Sequence, residues 1–135
     1  GKSNIIVNGK NNLIISVGNI LIEAINASKK LKKAKIENSV IDLRYIKPLE
    51  RKVLKTAFKK FKRIFVIEEH FINGGAGSSI IEWANKNGYD ASKINVIGIE
   101  NNFVNSAGNQ SSAREKVGLS SEKIFKKIVK IIKKK

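Results

Sequence analysis

Two acids and the single histidine of the chain directly follow a short apolar run. The run Ile64-Phe65-Val66-Ile67 continues into Glu68, Glu69 and His70. A carboxylate beside an imidazole can do acid–base work, or bind a metal if further ligands come from elsewhere. Adjacent residues of an extended chain point to opposite faces, so Glu69 and His70 are not expected to converge on one atom. We favour the alternative, in which these side chains hold a loop or a subunit contact through hydrogen bonds.

The stretch Gly74-Gly75-Ala76-Gly77-Ser78-Ser79 offers a second kind of chemistry. Backbone N–H groups ahead of a helix can bind an anion. The stretch is not a P-loop, because no lysine follows Gly77, and it matches the dinucleotide pattern only in part, because Ile80 holds the third glycine position. The simpler interpretation, which we favour, is a glycine turn that lets the following helix pack close to a sheet.

The elements that must position these residues are a strand, a loop and a helix. The apolar run 64–67 is too short for a helix and lacks polar alternation, which predicts a strand in the middle of a sheet and covered on both faces. Helical spacing from Ser79 to Asn87, closed by Gly88, predicts the helix. Sites in α/β sheets lie at the carboxyl ends of the strands, where Glu68 and its neighbours are expected.

The rest of the chain continues this alternation of strands and helices. Residues 3–8 and 12–17 predict either a hairpin or an edge strand followed by a core strand. Further predicted strands cover 40–43 and 94–99, and predicted helices lie between Gly18 and Lys33, after Pro48, briefly near 113–117, and from Ser120 to the end. The pattern predicts one α/β domain without an active site of its own.

Composition narrows the class of protein. The 135 residues contain 41% hydrophobic residues and no cysteine, which allows a core and excludes disulfides and thiolate metal sites. No apolar stretch approaches the roughly 20 residues of a membrane helix, so we expect no membrane partner. Because the sequence starts at Gly1 without a methionine, we expect a fragment of a longer protein.

The formal net charge of +16 suggests a nucleic-acid partner. Arginine is the better residue for bidentate phosphate and base contacts, but it occurs only at Arg44, Arg51, Arg63 and Arg114. Lysine is spread over the predicted helix surfaces beside many asparagines and isoleucines, as A+T-rich coding would produce. The composition therefore does not favour a specific nucleic-acid site, although a basic nucleic-acid-binding module stays the alternative of a different class.

The segment Val40-Ile-Asp-Leu-Arg-Tyr-Ile-Lys-Pro-Leu-Glu50, together with Ile67-Glu-Glu-His70 and Gly74-Gly-Ala-Gly-Ser78, resembles a known family. The chain is similar over nearly its whole length to the C-terminal domain of the 1-deoxy-D-xylulose-5-phosphate synthases, thiamine-diphosphate enzymes related to transketolase. The corresponding domains of transketolase and of 2-oxoacid dehydrogenase beta subunits are the nearest alternatives.

The resemblance implies a three-layer α/β/α domain, residues 1–135, with a five-stranded, mixed and mostly parallel sheet. It implies a homodimeric enzyme that condenses pyruvate with glyceraldehyde 3-phosphate, releasing carbon dioxide, in the non-mevalonate isoprenoid pathway. Thiamine diphosphate and Mg²⁺ would be held by the other domains, so the resemblance assigns no catalytic, cofactor or metal residue here. The enzyme would be cytoplasmic in a bacterium and located in a plastid or apicoplast in a eukaryote.

We expect eight residues to have a role in architecture or in contacts with the rest of the enzyme. They are Arg44, Lys47, Pro48, Glu69, His70, Gly74, Gly75 and Gly77. The first three shape the exit from one core strand and the other five the exit from another. Since carboxyl ends of parallel strands meet at one edge, we expect the two strand ends to lie side by side and to pack on the rest of the enzyme.

Overall fold

The computed structural model describes residues 4–43, 51–71, 75–99, 114 and 118–134. The strands are β1 (Asn4–Val7), β2 (Asn12–Val17), β3 (Ser39–Leu43), β4 (Arg63–Phe71) and β5 (Ile94–Ile99). The helices are α1 (Leu21–Lys33), α2 (Arg51–Lys60), α3 (Ala76–Lys86) and α4 (Ser121–Lys134), with short 3-10 turns at Gly18–Ile20 and Ala91–Lys93. Within these residues, every helix falls short of the length and apolar character that crossing a bilayer requires.

The five strands form one sheet in the order β1-β3-β2-β4-β5. β2, β3, β4 and β5 run parallel, and β1 pairs antiparallel with β3 at the edge. The expected mixed, mostly parallel sheet is therefore confirmed. Of the two arrangements predicted for residues 3–17, the edge strand is correct and the hairpin is wrong, because β1 pairs with β3 and not with β2. β4 is an interior strand, but the middle position belongs to β2.

Alternating residues of the strands fill two separate cores. On one face, Leu13, Ile15, Ile64 and Val66 pack with buried residues of α2 and α3. On the other face, Ile14, Val40, Phe65 and Ile67 pack with α1 and α4. The interior strands are buried on both faces, as their continuous apolar runs predict. The three-layer α/β/α architecture follows.

The helix ends carry specific contacts. α3 ends where Gly88 adopts a φ of 75°, and Tyr89 N donates to the Ala84 carbonyl at 2.9 Å, so the predicted glycine cap is confirmed. The Ser120 hydroxyl accepts from Lys123 N at 3.3 Å, which confirms the predicted cap of α4. α3 begins at Ala76, three residues earlier than the sequence predicts, so Gly77 lies in its first turn.

Candidate functional site

The candidate site is the part of β4 that contains Glu68, Glu69 and His70. These residues belong to the strand, which continues to Phe71, four residues beyond the predicted run. The pairing of β4 with β5 is irregular here: Ile67 pairs with Ile97 and Phe71 with Ile99. Four steps along β4 therefore match two along β5. Such a bulge changes the direction of the side chains at a strand end.

Glu68 lies on the α3 side of the sheet and is fully buried. Its carboxylate accepts hydrogen bonds from Ala76 N at 2.6 Å and from Gly77 N at 3.2 Å. These N–H groups belong to the first turn of α3, which has no partners for them within the helix and carries a partial positive charge. Glu68 is therefore an anionic cap for α3, supplied by the neighbouring strand.

Two glycines make the approach of α3 to the sheet possible. A Cβ atom on Gly75 would lie 2.5 Å from Glu68 Oε1, and one on Gly77 would lie 2.4 Å from Val96 Cγ2 on β5. Neither distance is compatible with a side chain. The interpretation of this stretch as a turn that lets the helix pack close to the sheet is confirmed. The anion-binding alternative is wrong for the amides of Ala76 and Gly77, because the chain's own carboxylate occupies them.

Glu69 lies on the opposite side of the strand and forms an ion pair with Arg114. Arg114 Nη2 is 2.8 Å from Glu69 Oε1, and Arg114 Nε donates to Oε2 at 3.1 Å. Arg114 Nη2 also donates to the Asn19 carbonyl at 3.0 Å, in the turn between β2 and α1. Hydrogen bonding to Glu69 raises the pKa of the Arg114 guanidinium. The pair thus ties three distant segments together at the carboxyl edge of the sheet.

Of the remaining residues expected at the site, the structure describes some and not others. His70 lies within β4, between Glu69 and Phe71. Arg44, Lys47, Pro48 and Gly74 lie outside the described residues, and so does the expected short helix at 113–117 apart from Arg114, which is helical.

The expectation that the two strand ends lie side by side is wrong. β3 and β4 end at the same edge of the sheet, but β2 lies between them. The order of strands in a parallel sheet depends on how the crossover connections run, and the sequence does not reveal it.

The geometry gives both acids structural partners. Glu68 stabilises a helix end and Glu69 a buried guanidinium, so neither is poised as an acid or base toward a substrate. Across the residues described, no group of three or more His, Asp or Glu side chains could hold a metal ion. These contacts hold the carboxyl end of β4 in place at the carboxyl edge of the sheet.

Sequence reasoning missed two of these contacts. A signal for Glu68 existed, because an acid at a strand end followed by glycines and a helix start is the pattern of a carboxylate on a helix N-terminus. Arg114 lies 45 residues from Glu69 in the sequence. Its pairing left no local signal.

Comparison with known proteins identifies the family of this chain from matches over most of its length. The family model described as "Transketolase, C-terminal domain" matches residues 1–124. The 1-deoxy-D-xylulose-5-phosphate synthase of Halothermothrix orenii is 34% identical over 77% of this chain, that of a Geobacillus species is 32% identical over 94%, and that of Blochmanniella pennsylvanica is 34% identical over 88%. The matches span 16%, 20% and 18% of those proteins, respectively.

A solved structure has the same fold. The chain described as "Split gene transketolase, inactive beta4 tetramer" superposes with a TM-score of 0.80 at 24% identity, covering 96% of this chain and 41% of that one. This similarity concerns the fold alone. The match to the family model covers residues 1–124 and therefore most of the sequence. The chain belongs to the transketolase C-terminal domain family.

Proposed function

We propose that this chain is the C-terminal domain of a 1-deoxy-D-xylulose-5-phosphate synthase. The observation that carries the proposal is the identity of 32% over 94% of the chain to a protein of that name, with comparable values for two others. The complete enzyme would condense pyruvate with glyceraldehyde 3-phosphate and release carbon dioxide. It would be cytoplasmic in a bacterium, and located in a plastid or apicoplast in a eukaryote.

Within that enzyme, the domain supports chemistry performed elsewhere. The described residues do not fit thiamine diphosphate and Mg²⁺, because they include no cluster of metal-binding side chains. The amides of Ala76 and Gly77, which would suit a phosphate group, are already bound to Glu68. We therefore assign the cofactors to the other domains and no catalytic step to this one.

The proposed role of the domain is to present a stiff edge to the rest of the enzyme. A bidentate ion pair and a buried carboxylate cap, one on each side of β4, hold the carboxyl end of that strand in place. In a homodimeric synthase this edge would pack against the neighbouring domains. We expect replacement of His70 or Arg44 in the complete enzyme to lower activity or dimer stability, and unchanged assembly and turnover for both would oppose this role.

The test of the proposed function is an assay of the complete polypeptide that carries this sequence. With thiamine diphosphate and Mg²⁺, release of carbon dioxide from pyruvate should accompany formation of 1-deoxy-D-xylulose 5-phosphate from glyceraldehyde 3-phosphate. Transfer of a ketol group between sugar phosphates would instead identify a transketolase. Acyl transfer to a lipoyl group would identify a 2-oxoacid dehydrogenase, and either result would overturn the proposal.

A further inference from the structure

A groove lies between the edge of the sheet and helix α2, away from the site described above. Its volume is about 270 Å³ and its apolar lining consists of Ile5, Ile41, Val53, Ala57 and Phe61. Ile5 and Ile41 are opposite each other in the pairing of β1 with β3, so both side chains lie on the α2 face of the sheet. We call this feature the α2 groove.

The apolar lining of the α2 groove extends from the buried Ile41 to the solvent-exposed Ile5. Ile41 is 8% exposed, whereas Ile5 is 70% exposed. The difference indicates that α2 covers β3 but leaves β1 open. Ile5 and the groove lining form one contiguous apolar surface, and such a surface with a polar rim is a feature of interaction sites.

The rim of the groove is positively charged. Lys52 and Lys60 line it from α2, eight residues apart, which corresponds to about 12 Å along a helix axis. Lys60 Nζ lies 5.5 Å from the centroid of the Phe61 ring, so its charge is held over the apolar lining. Among the described residues, those that line the groove include no acid. A cation near each end favours a ligand with negative charge at both ends.

The same features argue against a second copy of this chain as the occupant. The net charge of +16 opposes self-association through a lysine-rimmed surface. Strand pairing at the free edge of β1 is also disfavoured, because Ile6 is an extra residue in its register: Ile5 pairs with Ile41 and Val7 with Val40. Bulges of this kind protect edge strands from pairing with other chains.

We propose that the α2 groove binds an extended segment of a partner protein, with apolar residues at its centre and acidic residues on both sides. About four extended residues span 12 Å, which matches the separation of the two lysines. The apolar centre covers Ile5 and fills the groove, and the acidic flanks pair with Lys52 and Lys60. The contact is small, so we expect a dissociation constant of about 100 µM.

The probe is an acetylated heptapeptide with the centre Leu-Ile-Leu and two glutamates on each side. Binding is measured by NMR titration of the ¹⁵N-labelled chain, and the expected shifts are centred on Ile5, Ile41 and Thr56. A peptide of equal charge with glycines at its centre should bind about tenfold more weakly, because it lacks the apolar contact.

Two variants test the site, and one variant controls for net charge. The double replacement Lys52→Glu with Lys60→Glu should weaken binding about tenfold or more, since it reverses both rim charges. Thr56→Trp should have a similar effect without changing charge, because the exposed Thr56 lines the groove. The matched control is Lys126→Glu with Lys134→Glu, which has the same spacing on the exposed surface of α4 and should change affinity by about twofold at most.

Each possible result decides the proposal. Weaker peptide binding in the two groove variants, with the affinity of the α4 control retained, supports the proposal. Equal loss in the α4 control, or equal affinity for the glycine peptide, would mean that net charge alone attracts acidic peptides, and would overturn it. Sedimentation that shows a dimer abolished by Ile5→Asp would assign the groove to a second copy. Tighter binding of octanoate than of the peptide, with the same shifts, would assign it to a small amphiphile, and both results contradict the proposal.

Discussion

Glu69 and Arg114 are joined by two hydrogen-bonded contacts, at 2.8 and 3.1 Å, although 45 residues separate them in the sequence. The two partners differ in exposure, since the side chain of Arg114 is 7% exposed and that of Glu69 26%. An unpaired charge is more costly where water cannot reach it. The two ends of this ion pair should therefore respond differently to mutation.

We expect Glu69→Ala to destabilise the fold more than Arg114→Ala does. Removal of Glu69 leaves a buried guanidinium that keeps the Asn19 carbonyl as its hydrogen-bond partner among the described residues, at a cost of about 2–4 kcal/mol. Removal of Arg114 leaves a carboxylate that water can partly solvate, at a cost of about 1–2 kcal/mol. Urea unfolding of both variants measures the difference. The exposed pair of Lys30 and Glu122 is the control, and Glu122→Ala should cost about 0.5 kcal/mol or less.

Glu68→Gln should weaken the start of α3. The substitution removes the negative charge and places an amide N–H₂ against one of the backbone N–H groups of Ala76 and Gly77, so at least one hydrogen bond is lost. Hydrogen bonds to a charged acceptor contribute about 1.5–3 kcal/mol, and we expect a loss of that order in unfolding free energy. In the Glu68→Gln variant, amide hydrogen exchange should accelerate more in α3 than in α1, relative to the unsubstituted chain. Unchanged exchange at α3 would contradict the capping role.

Gly77→Ala should destabilise the domain by steric overlap with Val96. Overpacking of this kind costs about 1–3 kcal/mol. Adding Val96→Ala removes the two nearest methyl groups and should restore part of the loss, which a double-mutant cycle would detect. Gly88→Ala is the control: its Cβ would meet nothing within 4 Å, so only the cost of its positive φ, about 1 kcal/mol, is expected. If Val96→Ala does not restore stability to the Gly77→Ala variant, steric overlap with Val96 is not the cause of the destabilisation.

Asp90 should titrate below the ordinary range of an aspartate. Hydrogen bonds from the Ser92 hydroxyl, at 2.6 Å, and from Ser92 N, at 3.0 Å, lower the pKa of its carboxyl group. Because the folded-state pKa is the lower one, the stabilisation is present above the unfolded-state pKa and is lost as the pH falls through the folded-state value. NMR titration of the Asp90 carboxyl carbon measures this pKa. Ser92→Ala should raise it, and an unchanged midpoint in that variant would contradict the assignment.

The sequence predicts the parts of this fold that depend on local patterns. The run 64–67 is uniformly apolar because β4 is buried on both faces, and Gly88 and Ser120 mark helix ends through their own backbone and side-chain chemistry. Alternation along an extended chain also separates Glu68 from Glu69, which lie on opposite sides of the sheet. These features require no knowledge of distant residues.

The features that sequence reasoning missed depend on long-range packing. The position of β2 between β3 and β4 depends on the crossovers, so the strand ends expected to be neighbours are not adjacent. The partner of Glu69 comes from residue 114, and the cap of α3 comes from a strand and not from the helix's own sequence. The glycine stretch had two interpretations until the positions of Glu68 and Val96 distinguished them.

The central claim is that this domain supports chemistry whose cofactors are held elsewhere. Calorimetric titration of the 135-residue chain with thiamine diphosphate and Mg²⁺ tests it most directly. We predict no saturable heat up to a concentration of about 1 mM, equivalent to a binding free energy weaker than about −4 kcal/mol. Saturable binding with a dissociation constant of about 1 µM would contradict the claim, because it would place a cofactor site in this domain.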